Sequence, residues 1–273
     1  MKRPTLLIDG DILAYKASAA AEKEIRWSED LWTLHASLND AIHYFLEELD
    51  EIEEALGDGD KIFALSPKLN FRYRIWPEYK ANRKDKRRPM CLEALKEWLS
   101  HEYEVFQRPD IEADDVLGIL ATSPYIVKGE KIIVSIDKDF RSIPGKFYNC
   151  NSKELIEVTE SQADKWHMLQ TLMGDSADGY PGCPKVGPKT AEKILNGAQT
   201  YETMWPLVVE AYEKQDERND GRGTGVFLRV PKGSLHGSAH GACPYKGEFI
   251  LHKFDSTCRV LAACEPGGNQ ECA

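Results

Sequence analysis

Acidic side chains occur in four short clusters along this chain, and two of the clusters come directly after apolar runs. Asp9 follows the run Thr5–Ile8, and Asp137 follows Lys131–Ile136. If the runs are parallel strands, their carboxyl ends meet at one functional edge of a sheet. Carboxylate oxygens are the ligands that hard divalent cations prefer. We therefore predict a divalent-cation pocket formed by Asp9, Glu112, Asp114, Asp115, Asp137, Asp139 and Asp175.

The densest cluster is Glu112-Ala-Asp-Asp115. Acidic residues are also favoured at the N-terminus of a helix, which explains one or two of the three carboxylates. Three carboxylates within four residues repel one another unless a cation is present. We favour metal binding for this cluster. For Asp9 and its neighbour Asp11, a simple turn and helix cap is an equally good interpretation when they are considered alone.

A Gly/Pro-rich loop joins two predicted helices in residues 173–195. Its glycines allow the main chain to approach a phosphate group, and the helix predicted to begin near Thr190 presents free N–H groups. Lys185, Lys189 and Lys193 add positive charge. The alternative interpretation is a structural helical hairpin without a ligand.

Charge is unevenly distributed along the 273 residues, whose net charge is −10. Residues 40–60 are acidic without a single Lys or Arg, whereas residues 68–88 combine many basic residues with Phe71, Tyr73, Trp76 and Tyr79. Basic residues interleaved with aromatic ones are typical of nucleic-acid binding. The acidic stretch is interpreted as the solvated face of an amphipathic helix.

Apolar runs alternate with helical patterns, which predicts an α/β fold with a parallel sheet. Strands are predicted at 5–8, 61–65, 104–107 and 131–136, with further edge strands at 147–150 and 155–158. Helices are predicted at about 12–21, 31–56, 91–102, 113–122 and 160–173, the last capped by Thr159.

Size and hydropathy restrict the protein class. A 273-residue chain with 42% hydrophobic residues can bury a sizeable core. The chain contains no apolar run of the roughly 20 residues that span a bilayer, and we expect no membrane partner and a cytoplasmic location. Residues 216–273 lose the periodic pattern and are glycine-rich, so we expect an atypical, disordered tail there.

Taken together, the motifs resemble the 5′ nucleases of the flap endonuclease and 5′→3′ exonuclease group, especially those of podoviruses related to phage T7. The resemblance extends from Leu6 to about Gln215. Its motifs are Ile8-Asp-Gly-Asp11, Asn70-Phe-Arg72, Pro77-Glu-Tyr-Lys-Ala-Asn-Arg83, Glu112-Ala-Asp-Asp115, Asp137-Lys-Asp-Phe140 and Gly174-Asp175 through Thr190.

The resemblance implies an α/β, PIN-like parallel-sheet nuclease core with a helical arch and a helix-three-turn-helix DNA-binding element. The core is expected at residues 1–165, with the arch at about 80–100. The duplex-binding element is expected at 166–215 and the tail at 216–273.

The resemblance also implies residue roles. Asp9, Glu112, Asp114 and Asp115 are expected at one metal region, and Asp137, Asp139, Asp175 and Asp178 at a second. Lys80 and Arg83 are expected to neutralise the scissile phosphate, while Tyr79 is expected to stack on a terminal base. The full predicted DNA-binding set is Arg72, Tyr79, Lys80, Arg83, Lys84, Gly182, Lys185, Val186, Gly187, Lys189 and Thr190.

The implied activity is metal-dependent hydrolysis of DNA at 5′ ends or flaps, and of RNA primers on DNA, during viral replication or recombination in an infected bacterial cell. Two or more Mg²⁺ ions, or Mn²⁺, are the expected cofactors, with K⁺ at the hairpin loop. The oligomeric state is not predicted. Family members usually have an aspartate after the second strand, a few residues before the Asn-Phe-Arg motif, whereas this chain reads Ala64-Leu-Ser-Pro67 there. A structure-specific DNA-binding protein with impaired catalysis therefore stays an alternative, as does a PIN-type endoribonuclease.

Overall fold

The computed structural model describes residues 3–75 and 78–216. A six-stranded sheet lies at its centre, with the strand order β5-β4-β1-β6-β7-β8. Every neighbouring pair is parallel except β7 and β8, which are antiparallel. The strands are β1 (Thr5–Asp9), β4 (Asp60–Ala64), β5 (Glu104–Phe106), β6 (Lys131–Ser135), β7 (Gly145–Asn149) and β8 (Glu154–Val158).

Helices cover both faces of the sheet and continue beyond it. The α-helices are α1 (Gly10–Ala20), α2 (Leu38–Leu56), α3 (Arg72–Ile75), α4 (Leu92–Glu102), α5 (Ala113–Thr122), α6 (Glu160–Met173), α7 (Pro188–Ile194) and α8 (Tyr201–Asp216). Single 3₁₀ turns occupy Ala81–Arg83 and Lys138–Ser142. No helix in the described part of the chain is long and apolar enough to cross a membrane.

The strands bury side chains on both faces, which explains their continuous apolar sequences. On β1, Leu6 and Ile8 belong to a core shared with α1, α2 and α4, whereas Leu7 belongs to a second core with α5. Alternate residues of a strand point to opposite faces. A third cluster joins α6, α7 and α8 through residues such as Leu172, Ala191 and Trp205.

The predicted long helix begins later than expected. Residues 31–37 do not belong to α2: Trp32–His35 forms a short strand, β3, which pairs antiparallel with β2 (Lys23–Arg26). The prediction of a helix from residue 31 was wrong because the cross-strand hydrogen bonds of this hairpin satisfy the backbone instead. The other helices and strands begin and end within about two residues of their predicted bounds, the usual disagreement at element ends.

The residues predicted to form a disordered tail lie almost entirely outside the described part of the chain. Of residues 216–273, the structure describes only Asp216, the last residue of α8.

Candidate metal centre and nucleic-acid cleft

Asp9 lies at the carboxyl end of β1, in the middle of the sheet, and only 1% of it is exposed. Its Oδ1 accepts a hydrogen bond from the Ile12 N–H (3.2 Å) and its Oδ2 accepts one from Ser135 Oγ (2.9 Å). No Lys or Arg among the described residues forms an ion pair with it. Burial, together with the nearby carboxylates of Asp11 and Asp137, raises the pKa of Asp9 to about 7. A bound cation would offset both causes.

Glu112 and Asp115 lie at the start of α5, next to the buried guanidinium of Arg72. Arg72 donates to both carboxylate oxygens of Asp115, at 2.6 and 2.7 Å, and lies 3.5 Å from Glu112 Oε2. Asp115 Oδ2 also accepts the backbone N–H of Glu112 (3.0 Å), which helps to cap the helix. The bidentate ion pair therefore fixes the acidic cluster to the segment that precedes the basic residues.

Glu112 accepts hydrogen bonds from Tyr79 and Lys80, two adjacent residues of the segment 78–88, which we call the basic segment. The hydroxyl of Tyr79 donates to Oε2 at 2.5 Å, and Lys80 Nζ donates to Oε1 at 2.7 Å. Burial alone would raise the pKa of Glu112, but the charges of Lys80 and Arg72 and the two hydrogen bonds outweigh burial and hold this pKa below its usual value. Glu112 is therefore an ionised, buried carboxylate.

Asp178 and Asp139 are the other predicted ligands with almost no exposure, each at 1%. Asp178 Oδ1 accepts a hydrogen bond from Arg83 (3.0 Å), and its Oδ2 lies 3.4 Å from the Tyr79 hydroxyl. Asp139 accepts a hydrogen bond from the amide of Gln170 on α6. Both side chains are thus held by residues from other elements.

The remaining predicted ligands are partly exposed. Asp137 Oδ1 accepts the backbone N–H of Asp139 (2.9 Å), and Asp175 Oδ1 accepts that of Ala177 (2.8 Å). Asp114 is the second residue of α5. Among residues 3–75 and 78–216, no three acidic, His or Cys side chains are already arranged around a common metal position. Several of the carboxylates instead accept hydrogen bonds from basic side chains.

A cleft of about 930 Å³ opens beside this acidic edge. It lies between α1, the loop after β4, the basic segment 78–88 and α4. Its lining combines basic, aromatic and acidic side chains, including Asp11, Tyr15, Lys80, Arg83, Arg87, Lys96 and Glu112. The volume is typical of a pocket for a ligand of several hundred daltons. Cationic walls beside an acidic floor suit a phosphate chain that must approach bound cations.

Tyr15 was not selected by sequence reasoning. It lies on α1, four residues after Asp11, so the two side chains share one face of the helix. Half of Tyr15 is exposed, and it lines the cleft. The i, i+4 spacing from Asp11, an acidic residue in the first turn of α1, was the signal that could have identified it.

Two predicted DNA contacts are not available in this structure. Tyr79 is 0% and Arg72 is 2% exposed, so neither side chain presents a surface to DNA here; base stacking by Tyr79 and DNA contact by Arg72 stay predictions. Their polar groups are engaged with Glu112 and Asp115. Both residues support the acidic site from within.

Part of the predicted arch region at about 80–100 is a helix that packs on the core. Residues from Leu92 onward form α4, whose Leu95 and Leu99 are fully buried in the core with α1 and α2. Residues 92–100 therefore pack on the core, and an arch at about 80–100 stays a prediction. Lys80, Arg83 and Lys84 lie before this helix, and Lys84 is exposed.

The helical hairpin also differs from its prediction in one detail. α7 begins at Pro188 with Gly187 as its N-cap, and the N–H of Thr190 is bonded to Gly187 O (3.0 Å), so that N–H is not free. Gly182 has a φ of 68°, and a Cβ there would meet Gly174 N at 2.3 Å. Gly182 is thus required for packing of the loop. Lys185 and Lys189 are exposed, and Val186 packs partly against the helices.

The arrangement is that of a known class of solved structure. The flap endonuclease D15 of bacteriophage T5, in a complex with DNA and metal ions, superposes with a TM-score of 0.54 at 14% identity, over 78% of this chain and 90% of that one. This likeness shows the fold: a PIN-like α/β nuclease core, as predicted.

Sequence comparison identifies the family within that class. Residues 4–166 match the model described as the 5′-3′ exonuclease N-terminal, resolvase-like domain. The exodeoxyribonuclease of Enterobacteria phage T3 is 33% identical over 83% of this chain and 75% of its own length. The exonuclease of Escherichia phage T7 is 35% identical over 78% and 73%, respectively. The chain belongs to the 5′-3′ exonuclease family, and the predicted 5′ nuclease activity is confirmed at this level.

Proposed function

We propose that this 5′ nuclease hydrolyses phosphodiester bonds of DNA at 5′ ends and 5′ flaps, with divalent metal ions held at the acidic edge of the sheet. The observation that supports this proposal most directly is Asp9. It is a buried carboxylate at the centre of the edge, next to Asp11 and Asp137, and no basic side chain of the described residues is paired with it. Buried charges in proteins are normally paired or bound to metal.

The donor set fits hard divalent cations because it consists of carboxylate oxygens. We assign Asp9, Glu112, Asp114 and Asp115 to one metal region, and Asp137, Asp139, Asp175 and Asp178 to the other. Bound Mg²⁺ or Mn²⁺ would supply an activated water and stabilise the leaving oxygen. The T5 enzyme, which has the same fold, was crystallised with metal ions.

Lys80 and Arg83 are the residues that we assign to the scissile phosphate. Both line the cleft, and both are paired with carboxylates of the acidic site: Lys80 with Glu112 and Arg83 with Asp178. When cations neutralise those carboxylates, the two basic side chains can turn to the phosphate. Their positive charge then offsets the charge that develops on the phosphate oxygens.

The cleft and the helical hairpin bind different parts of the substrate. The 5′ strand lies in the cleft along Tyr15 and the basic segment, beside the exposed Lys84. The duplex lies on the exposed Lys185, Gly187 and Lys189. The carbonyls of Val186 and Gly187 would hold K⁺, which would supply positive charge for the duplex backbone. RNA primers on DNA are substrates in the same orientation, and the setting is phage replication or recombination in the host cytoplasm.

A second candidate function is structure-specific DNA binding with little cleavage. Pro67 favours it, because it stands at the cleft side of the β4 carboxyl end, where a carboxylate would add a metal ligand. The ion pairs of Lys80 and Arg83 with the acidic site also favour it, since incoming cations must displace them.

The deciding experiment is cleavage of a 5′-labelled flap duplex and a blunt duplex in Mg²⁺, Mn²⁺ and EDTA. The double variant Asp137→Asn, Asp139→Asn tests the acidic edge. The double variant Asp50→Asn, Glu54→Gln makes the same charge change on the exposed face of α2 and is the matched control. Metal-dependent release of short 5′ products that only the first variant loses supports the proposal. Tight flap binding without cleavage in either metal supports the second candidate.

A further inference from the structure

Segment 78–83, which contains Lys80 and Arg83, is bound to the loop 174–180 through the backbone of that loop. The N–H of Lys80 donates to Asp178 O at 3.0 Å. The side-chain amide of Asn82 donates to the carbonyls of Ser176 and Ala177, at 3.2 and 3.3 Å. Three consecutive carbonyls of the loop are therefore held by two residues of the basic segment.

We propose that Asn82 is a positioning residue that transmits engagement of duplex DNA at the helical hairpin to Lys80 and Arg83. The inference rests on the proposed function and adds a residue that makes cleavage depend on duplex. Asn82 lies between the two basic residues in sequence, and its side chain is one that sequence reasoning did not select. Asn82 bonds to backbone carbonyls and to no carboxylate of the acidic site, and it does not line the cleft, so its effect passes through its neighbours.

The loop on the other side of these hydrogen bonds is a closed unit. Asp175 and Tyr180 exchange two backbone hydrogen bonds, at 2.9 and 2.8 Å, and Asp175 also accepts the N–H of Ala177. Gly174 and Gly182 are in close backbone contact where the loop meets the hairpin. A displacement at the hairpin therefore moves the loop as one body.

Backbone contact between the two segments leaves little room for independent movement. A Cβ on Gly179, which has a φ of 83°, would lie 3.0 Å from Glu78 O. Lys80 has a φ of 51°, a conformation that residues with a Cβ seldom adopt. The position of Lys80 Nζ on Glu112 and of Arg83 on Asp178 thus follows the position of the loop.

Asn82→Ala removes the two side-chain hydrogen bonds and keeps the backbone bond of Lys80. Asn82 is exposed, so the melting temperature should stay unchanged. We expect the single-turnover rate on a 5′-flap duplex to fall about tenfold, because reacting groups are less well placed. The dissociation constant for a flap duplex in Ca²⁺ should not change. The slow cleavage rate on the same labelled strand without its complement should also stay unchanged, because no duplex then binds at the hairpin.

Two further variants make the test specific. Asn82→Asp keeps the shape but turns an acceptor toward two carbonyls, so its loss should equal or exceed that of Asn82→Ala. Asn82→Gln keeps the amide donor and should recover part of the rate. Asn151→Ala, at another exposed asparagine in the turn between β7 and β8, is the matched control and should behave as the unsubstituted protein.

Equal losses on the duplex and single-stranded substrates would overturn the proposal, because they would indicate a general structural effect. Unchanged rates on both substrates would also overturn it. Absence of cleavage by the unsubstituted protein in Mg²⁺ and Mn²⁺ would contradict the proposed function itself, and with it this role for Asn82. That result is distinct from an active protein whose Asn82 variants are unaffected.

Discussion

The hydroxyl of Tyr79 donates a hydrogen bond to Oε2 of Glu112 across 2.5 Å, in a site where both residues are buried. Lys80, the next residue, holds the other oxygen of the same carboxylate at 2.7 Å. Two adjacent residues of the basic segment therefore bind one acidic residue of α5. This relationship joins the group expected to neutralise a phosphate to a group expected to hold a metal.

Tyr79→Phe should weaken that junction without removing the packing of the ring. Losing a hydrogen bond to a buried charge should lower the free energy of unfolding by about 1–3 kcal/mol. The bond is also one of the causes that lower the pKa of Glu112, so its loss should raise that pKa. Because the ionised form of Glu112 is the proposed metal ligand, the acid limb of the cleavage rate against pH should move to higher pH.

The control for this variant is Tyr73→Phe. Tyr73 contacts the ring of Tyr79 edge-on, with ring centroids 5.5 Å apart, but it is only half-buried, and its hydroxyl makes no hydrogen bond to Glu112. The measurement is the rate at which each variant cleaves the flap duplex from pH 5 to pH 9, which gives the position of its acid limb. Coinciding acid limbs would contradict the role assigned to the Tyr79 hydroxyl.

Asp9→Asn should stabilise the metal-free protein while abolishing cleavage. The folded pKa of about 7 lies above the unfolded value of about 3.9, so the folded protein keeps a proton that the unfolded chain has already lost. The destabilisation caused by Asp9 therefore grows as the pH rises from about 4 to 7 and is constant above that range. At pH 8 in EDTA the variant should be more stable by on the order of 1–4 kcal/mol.

Thermal unfolding in EDTA at pH 5 and pH 8 checks this prediction. The gap between the variant and the unsubstituted protein should be wider at pH 8, and excess Mn²⁺ should narrow it, since metal stabilises only the form with the carboxylate. Asp30→Asn, at an exposed position of the β2–β3 hairpin, should show no such gap. A variant less stable than the unsubstituted protein at pH 8 would show that burial of Asp9 is already compensated.

Local sequence patterns were sufficient for most of the elements. Both α5 and α6 have the predicted bounds because their starts are marked by side chains that cap within three residues, such as Thr159 and Gln162. The hairpin at residues 23–35 was missed because Trp32 and Thr33 fit a helical pattern as well as a strand, and only the pairing partner decides. The acidic edge was predictable because parallel strands place their carboxyl ends together.

Burial within the site was not predictable in the same way. Tyr79 and Arg72 have the residue types of a DNA-binding surface, yet their partners Glu112 and Asp115 lie 33 and 43 residues away in sequence. Arg72 is buried because the bidentate pair with Asp115 offsets the loss of water. Only the tertiary fold shows which basic residues face the cleft and which support it from below.

Pro67→Asp should strengthen divalent-ion binding. Pro67 lines the cleft beside Asp11 and Glu112, at the carboxyl end of β4, so a carboxylate there would face the same space. The added ligand in the Asp variant should lower the Mn²⁺ dissociation constant about tenfold. The unsubstituted protein, which lacks this carboxylate, should favour Mn²⁺ over Mg²⁺. Calorimetric titration without DNA measures the change.

Pro67→Asn is the matched control, because it also removes the proline ring but adds no charge. Equal Mn²⁺ affinities of the Asp and Asn variants would exclude a metal-binding role for this position. Cleavage rates of the Asp variant in Mg²⁺ would then show whether the missing carboxylate limits activity.

Tyr15→Ala should weaken binding of the 5′ strand. Tyr15 is a half-exposed aromatic residue of the cleft wall, on the same face of α1 as Asp11, and Tyr79 is too deeply buried to take its place. Stacking of a base on an aromatic ring contributes about 1–3 kcal/mol, so KM for a flap substrate should rise about 5- to 100-fold with a smaller change in kcat.

Tyr15→Phe should retain the unsubstituted KM, because the ring face and not the hydroxyl makes the contact. Tyr125→Ala, at a site that is 87% exposed and does not line the cleft, should have no effect. Steady-state cleavage of flaps with one abasic nucleotide at the 5′ end provides the cross-check: if the base stacks on Tyr15, the abasic flap and the Ala variant should each raise KM, and together they should raise it no further.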